Sequence, residues 1–417
     1  MPSDTMHDSQ AFRVLRDKLL PFGWGNVTKL AMAYFFATLY FYAPVGTLYL
    51  QGKNLNYVQI NSLWGIIVGT MFLTEVPAGM LADRLGRKRR PGRKRRPGRK
   101  RSIHVALALQ VLGEVIYIFG RSYWPFALAA AIGGLGFAFG SGSVEALVYD
   151  SLKALSREGE MTKAMGFIHA AQRLANLLAS AAGGLLVTNM TQARFVLAIA
   201  ATACAVTAGW LVSLTLHEPP AELENGDRSI DLLVEGVRTL RSNRQFRRLV
   251  LLALATVPFG NYLSSLYQPW FVDVGVPPIW LGLGLALASL LSILGARYAY
   301  RLEAWLGTRS SLLLVTGLPG VLYLVMAAAL HPACSVLAFC TLAGSMSLKD
   351  PIFSGHLNRH IDSKNRATVL SLISMVSGLY VALMGLLIGR IGDLSLTYAF
   401  VFMGVIVLAG SLLFRVK

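Results

Sequence analysis

Between Tyr57 and Leu81 the chain reads YVQINSLWGIIVGTMFLTEVPAGML, and it leaves that apolar run through Ala82-Asp83-Arg84-Leu85-Gly86-Arg87-Lys88-Arg89. About 20 helical residues cross roughly 30 Å of hydrocarbon, so the run is long enough to span a bilayer. Gly79 and Gly86 permit close helix approach and a tight turn. Asp83 falls at the end of the helix among cations, where Arg84, Arg87 or Lys88 can hold it ionised.

The rest of the chain repeats the first half of this pattern. It has 417 residues, 54% apolar and only 14% charged, with a mean hydropathy of +0.54. An ordinary soluble chain is about 25% charged. This composition excludes a disordered basic tail, a collagen-like chain and a small disulfide scaffold. Apolar runs of spanning length fall at about 30–50, 57–81, 102–120, 124–149, 164–187, 195–215, 249–271, 279–296, 310–330, 333–348, 367–389 and 394–414. The runs are continuous rather than alternating, so they predict helices, the form that satisfies every backbone amide in lipid without a closed barrel. The expected fold is an all-α membrane protein with twelve transmembrane helices. Residues 1–26 are mixed polar and do not resemble a cleaved signal peptide. Cys204, Cys334 and Cys340 all fall in spans and read as small packing residues.

Orientation follows from the cations. With the N-terminus inside, 34 of the 39 Lys and Arg lie in inside segments, and only Lys53, Arg121, Arg194 and Arg390 lie outside. Arg173 is left within the fifth span. Both termini are therefore expected to be cytoplasmic.

The longest polar insertion follows His217-Glu218-Pro219-Pro220 and divides the spans six and six. The expected organisation is a six-helix bundle over 1–217, a linker over 218–246 and a second bundle over 247–417. Within the linker, Ile230, Leu232, Leu233, Val237 and Leu240 recur near helical spacing. That fits either a surface amphipathic helix or a solvated linker. The halves are weakly similar: Gly183-Gly184-Leu185-Leu186-Val187 ends the fifth span, and Gly385-Leu386-Leu387-Ile388-Gly389 ends the eleventh. Parallel six-span repeats place a substrate near the midplane between them.

The stretch from Gly79 to Lys88 resembles the G-x-L-A-D-R-x-G-R-K signature of the major facilitator superfamily (MFS), at the loop between spans two and three where that family carries it. A decayed second copy lies near 295–309, with Ala304 in place of the acid. The resemblance implies the MFS fold of two pseudo-symmetric six-helix bundles, and transport by alternating access. It also implies a latch of Gly79, Asp83, Arg84, Gly86, Arg87 and Lys88 with an acid at the end of span four, best matched by Asp150, with Glu145 as the second match. The alternative is that these residues only set topology and fold.

Directly after the signature, Gly86-Arg-Lys-Arg-Arg-Pro91 recurs as Gly92-Arg-Lys-Arg-Arg-Pro97 and then as Gly98-Arg-Lys-Arg101. The stretch 84–101 holds twelve of the 39 cations. Removing two units of four cations each would lower the net charge from +18 to +10. The basic loop 84–101 suits anionic lipid headgroups; nucleic acid is not expected as a partner.

Charged groups inside spans are functional candidates by default. Here they are Glu75, Glu114, Glu145, His169 and Arg173. Glu75 reads equally as a structural pair. His169, Arg173 and Asn176 share one face of span five. That face is either an anion-binding or proton-coupling centre, or a packed ion pair with Glu145 or Glu114. The same span resembles the antiporter motif of family exporters: Gly166, Gly183 and Gly184 match, while Ala175 and Ala179 replace glycines and Ser180 replaces the proline. Tyr34, Thr38 and Tyr42 in span one and Asn261, Ser265 and Gln268 in span seven occupy corresponding helices. They are expected either to line a central cavity or to make ordinary interhelical hydrogen bonds.

The chain carries no nucleotide, metal or nucleophile motif, so it is not expected to be an enzyme or to need a cofactor. The expected function is proton-coupled efflux of a small amphipathic compound by a monomer in the inner membrane, driven by the proton gradient. The alternatives are proton-coupled or facilitated uptake of a small metabolite, anionic to suit Arg173, and a transport-inactive membrane sensor or scaffold.

Overall fold

A computed structural model describes residues 22–23, 25–87, 98–219, 244–256, 259–329, 331–359 and 366–414. The described residues form helices and short connections. The helices are α1 (Asn26–Ala37), α2 (Gly46–Gln51), α3 (Tyr57–Arg87), α4 (Arg99–Phe119), α5 (Tyr123–Gly140), α6 (Ser143–Lys153) and α7 (Met161–Leu186). They continue as α8 (Gln192–Leu214), α9 (Arg244–Thr256), α10 (Phe259–Asp273), α11 (Ile279–Ala328), α12 (Pro332–Arg359), α13 (Arg366–Leu394) and α14 (Leu396–Leu413). The all-α architecture matches the sequence reading. The proposed amphipathic stretch 230–240 and Lys88 lie outside the described residues.

Ten helical stretches among the described residues are long and apolar enough to cross a membrane. Two expected spans are missing from that set for physical reasons. The first is divided into α1 and α2 by the non-helical stretch Thr38–Val45, where Pro44 has no amide hydrogen to give. The fifth, α7, is diluted by His169, Gln172, Arg173 and Asn176. Span four divides into α5 and α6 at Ser141-Gly142, where Gly142 takes a left-handed φ of 68°. Spans eight and nine form the continuous assignment α11, whose helical geometry is interrupted at Gly307 with φ 74° and ψ 162°. The tenth span extends well past the expected limit at 348, through Pro351 to Arg359.

Helices α1–α8 and α9–α14 meet through α3 on α13, α7 on α11 and α2 on α10. Lipid is as apolar as leucine, so small residues and close backbone contact hold such interfaces together. A Cβ on Gly184 would sit 2.6 Å from the Cα of Gly282, and one on Gly389 would sit 2.7 Å from the Cα of Val58. Each half has its own apolar cluster at the end bearing the signature loop. One contains Leu30, Ile103, Leu147 and Ile168, the other Leu252, Leu312 and Ile352. At the far end a single cluster draws on both halves, from Val45, Tyr49 and Phe126 to Tyr262, Phe271 and Phe339. The far end is therefore sealed by shared packing.

Candidate substrate and coupling site

The break in the first span gathers several polar side chains. Its freed backbone groups are taken up by side chains, as an apolar setting requires. Gln110 Nε2 donates to the Ala37 carbonyl at 3.0 Å and to the Tyr40 hydroxyl at 2.6 Å. The Phe41 amide donates to Thr202 Oγ1 at 2.9 Å. Gln268 reaches over from the other half: its Nε2 donates to the Ala43 carbonyl at 3.0 Å, and its Oε1 accepts from the Thr47 amide at 2.8 Å.

Glu114 lies beside this break on α4 and is 7% exposed. Its Oε1 accepts from the Tyr42 hydroxyl at 3.3 Å, and its Oε2 has no hydrogen-bonding partner. Tyr42 stacks on Tyr117 at 5.3 Å and meets Tyr40 edge-on at 5.8 Å. A buried carboxyl with one free oxygen among phenols is suited to holding or releasing a proton.

A second centre is a cavity of about 190 Å³ between α1, the α5–α6 break and α7. Tyr34, Glu145, His169 and Gln172 supply its polar lining, and Val144, Met165 and Ile168 its apolar lining. His169 Nδ1 shares a hydrogen bond with Gln172 Oε1 at 3.0 Å. Glycine at 142 permits the left-handed turn that starts α6 with Glu145 in its first turn.

The expected residues thus separate into groups. Glu145 and His169 come together, with Tyr34. Arg173 and Asn176 are exposed, and Arg173 makes no ion pair with Glu145 or Glu114 among the described residues. In span one, Tyr34, Thr38 and Tyr42 do not form one helical face, because the helix ends at Ala37; Thr38 Oγ1 donates back to the Tyr34 carbonyl. In span seven, Asn261 is exposed, while Ser265 and Gln268 touch the other half directly. Ser265 Oγ donates to Asn61 Oδ1 at 3.0 Å. Spans one and seven do meet, but by closing on each other.

In the antiporter-like segment, Gly166 has open space around it. Ala175, Ala179, Ser180, Gly183 and Gly184 are buried. A Cβ on Gly183 would collide with the Phe41 carbonyl, so this segment packs against both the break and the opposite half. Asp150 is buried and pairs with Arg99, from the third copy of the basic repeat. The side chains of Glu75, Asp83, Arg84 and Arg87, and the surroundings of Gly79 and Gly86, lie outside the described residues.

Four further polar residues carry no motif that marks them in the sequence. Thr202, Asn61 and Gln110 stand out only as isolated polar groups in apolar runs. Lys349 is 8% exposed inside α12, and its Nζ lies 3.4 Å from Thr256 Oγ1. The Lys-Asp-Pro sequence there reads as a loop start.

Residues 30–382 match the Major Facilitator Superfamily. The chain is 35% identical over 153 residues to the inner membrane transport protein YajR of Escherichia coli (strain K12), a match covering 35% of this chain and 28% of YajR. It is 23% identical over 385 residues to the uncharacterized MFS-type transporter YxaM of Bacillus subtilis (strain 168), covering 90% of this chain and 91% of that one. The fold is similar to the nucleoside transporter NupG (TM-score 0.71, 11% identity, 93% of this chain and 98% of that one). It is also similar to a bacterial homologue of the iron transporter ferroportin in an inward-facing state (TM-score 0.65, 15% identity, 94% and 98%). The chain is a multi-pass membrane transporter, not an enzyme, and it belongs to the Major Facilitator Superfamily.

Proposed function

We propose that this transporter exports a small amphipathic compound from the cytoplasm in exchange for protons, with Glu114 as the proton carrier. The observation that carries the reading is the Glu114 carboxyl, buried in the membrane region with Oε2 unpartnered. Intramembrane carboxyls of this kind are the usual elements of proton relays.

The cavity of Tyr34, Glu145, His169 and Gln172 is the substrate subsite in this reading. Its mix of apolar walls and a few polar groups suits an amphipathic ligand. The cation bias puts both termini and the signature loop in the cytoplasm. The sealed far end then faces outward, and the cavity is loaded from inside. The linker 218–246 joins two bundles that rock about the substrate, and the basic loop 84–101 rests on anionic headgroups.

Proteoliposomes given an inward proton gradient test this. A panel of amphipathic compounds should move against their own gradient with the wild type. Glu114→Gln should abolish uphill movement and leave downhill exchange. Normal coupled transport by Glu114→Gln would remove Glu114 from the mechanism. Sensitisation of an overexpressing strain to the panel, in place of resistance, would reverse the direction.

A further inference from the structure

We propose that the break Thr38–Val45 is the element through which Glu114 controls the seal at the far end, with Gln268 as the positioning residue across the two halves. This rests on Glu114 carrying the proton.

The break is held from both sides by neighbouring residues of the chain. Tyr42 donates to Glu114 Oε1 at 3.3 Å. The next residue, Ala43, gives its carbonyl to Gln268 Nε2 at 3.0 Å, and Thr47, at the start of α2, gives its amide to Gln268 Oε1 at 2.8 Å. Gln268 is 3% exposed and also donates to the Ser264 carbonyl of its own helix at 3.1 Å. Gln110 and Thr202 hold the same break from within the first half. Gln268 thus ties the break to the second half by hydrogen bonds. One helical turn away, the contact between Ser265 and Asn61 closes the same seam.

The direction follows from the acid's surroundings. The titratable groups around Glu114 are the phenols of Tyr40, Tyr42 and Tyr117, and among the described residues it forms no ion pair. In the sealed arrangement it receives one long hydrogen bond and leaves one oxygen bare, a setting that suits the neutral acid. An ionised carboxylate would draw the Tyr42 hydroxyl into a shorter, charge-assisted bond. Moving Tyr42 displaces the Ala43 carbonyl, and the Gln268 clamp loses its register. Proton release therefore loosens the far end, and proton capture closes it.

Spin labels at Asn54 and Leu394, both exposed at the far end in opposite halves, report this opening in nanodiscs through their distance distribution. Gln268→Ala should raise the far-open fraction about tenfold, the effect of roughly one lost buried hydrogen bond. Glu114→Gln should lower that fraction several-fold in the wild-type background and by less than twofold in Gln268→Ala. Equal effects of Glu114→Gln in both backgrounds, or an unchanged far-open fraction in Gln268→Ala, would overturn the coupling. Should Gln268→Ala fail to fold, Tyr42→Phe keeps the packing and asks the same question from the other side. Its far-open fraction should no longer respond to pH, and a wild-type pH response would overturn the proposal. Loss of proton-driven transport in Glu114→Gln is read separately, so either claim can fail alone.

Discussion

Arg99 is paired with Asp150, so the third copy of the Gly-Arg-Lys-Arg unit fastens the start of α4 to the end of α6. The same guanidinium donates to the Ala146 carbonyl at 2.7 Å. Glu218 completes the junction by accepting from the Arg99 and Lys100 amides at 3.2 and 2.9 Å. A carboxylate on two free amides at a helix start is favourable in both hydrogen bonding and dipole.

The first prediction concerns this clasp. Deleting residues 86–97 removes two repeat units and leaves Gly98-Arg99-Lys100-Arg101 directly after Leu85, so folded yield and transport should be retained. Arg99→Ala should destabilise both the full-length and the shortened protein. The expected cost is about 1–3 kcal/mol, below the 3–5 kcal/mol of a fully buried pair because Arg99 is a third exposed. Thermal unfolding in detergent measures it.

A second prediction follows from the closest backbone approach between the halves. Gly184→Ala and Gly282→Ala each place a methyl against the facing glycine. Each should weaken the sealed state by about 1–3 kcal/mol, as overpacking does, and the double variant should cost less than the sum of the two. Far-end label distances give the sealed population. Unchanged populations in both single variants would contradict the contact.

The third is local to the break. Gln110→Leu leaves the Ala37 carbonyl without its side-chain donor and should cost about 1–3 kcal/mol of stability. Gln110→Glu retains the length but not the donor and should not rescue it. Both are read by thermal unfolding.

The fourth lies outside the membrane, between α6 and α7. Arg157 makes paired hydrogen bonds to Glu160 at 2.7 and 2.9 Å, and Lys163 lies 3.6 Å away. The Arg157 hydrogen bonds hold the Glu160 carboxyl below the usual carboxylate range. The stabilisation is therefore present above the unfolded-state pKa and is lost as pH falls through the lowered one. The melting-temperature gap between wild type and Glu160→Gln should be small at neutral pH and vanish in acid. A gap that grows in acid would reverse the sign.

Much of the architecture is legible in the sequence, because apolar run length and cation bias are local properties. The break in span one is less so. Leu39 to Leu50 is apolar enough to continue a helix, and only Pro44 hints otherwise. What sustains the break are donors and acceptors from Gln110, Thr202 and Gln268, up to 225 positions away. The meeting of Glu145 and His169 at one cavity likewise depends on how α6 is re-aimed at Gly142. That Arg99 meets Asp150 is not legible either, because the three units share Gly-Arg-Lys-Arg and the sequence does not distinguish them.

The buried Lys349 bears on how the protein is made. A lysine in an inserting helix costs less than the about 2.5–3.5 kcal/mol of a central one on translocon scales when, like Lys349, it lies near the end of the apolar stretch Pro332–Phe353, and α12 emerges from the ribosome after α9 and α11. Thr256, on α9, offers the ammonium a polar contact. The order of synthesis therefore puts one polar contact in place before the lysine arrives. The tenth span meets the seventh there, and a lesion at Thr256 removes one polar contact of the ammonium and should lower the yield of correctly inserted α12.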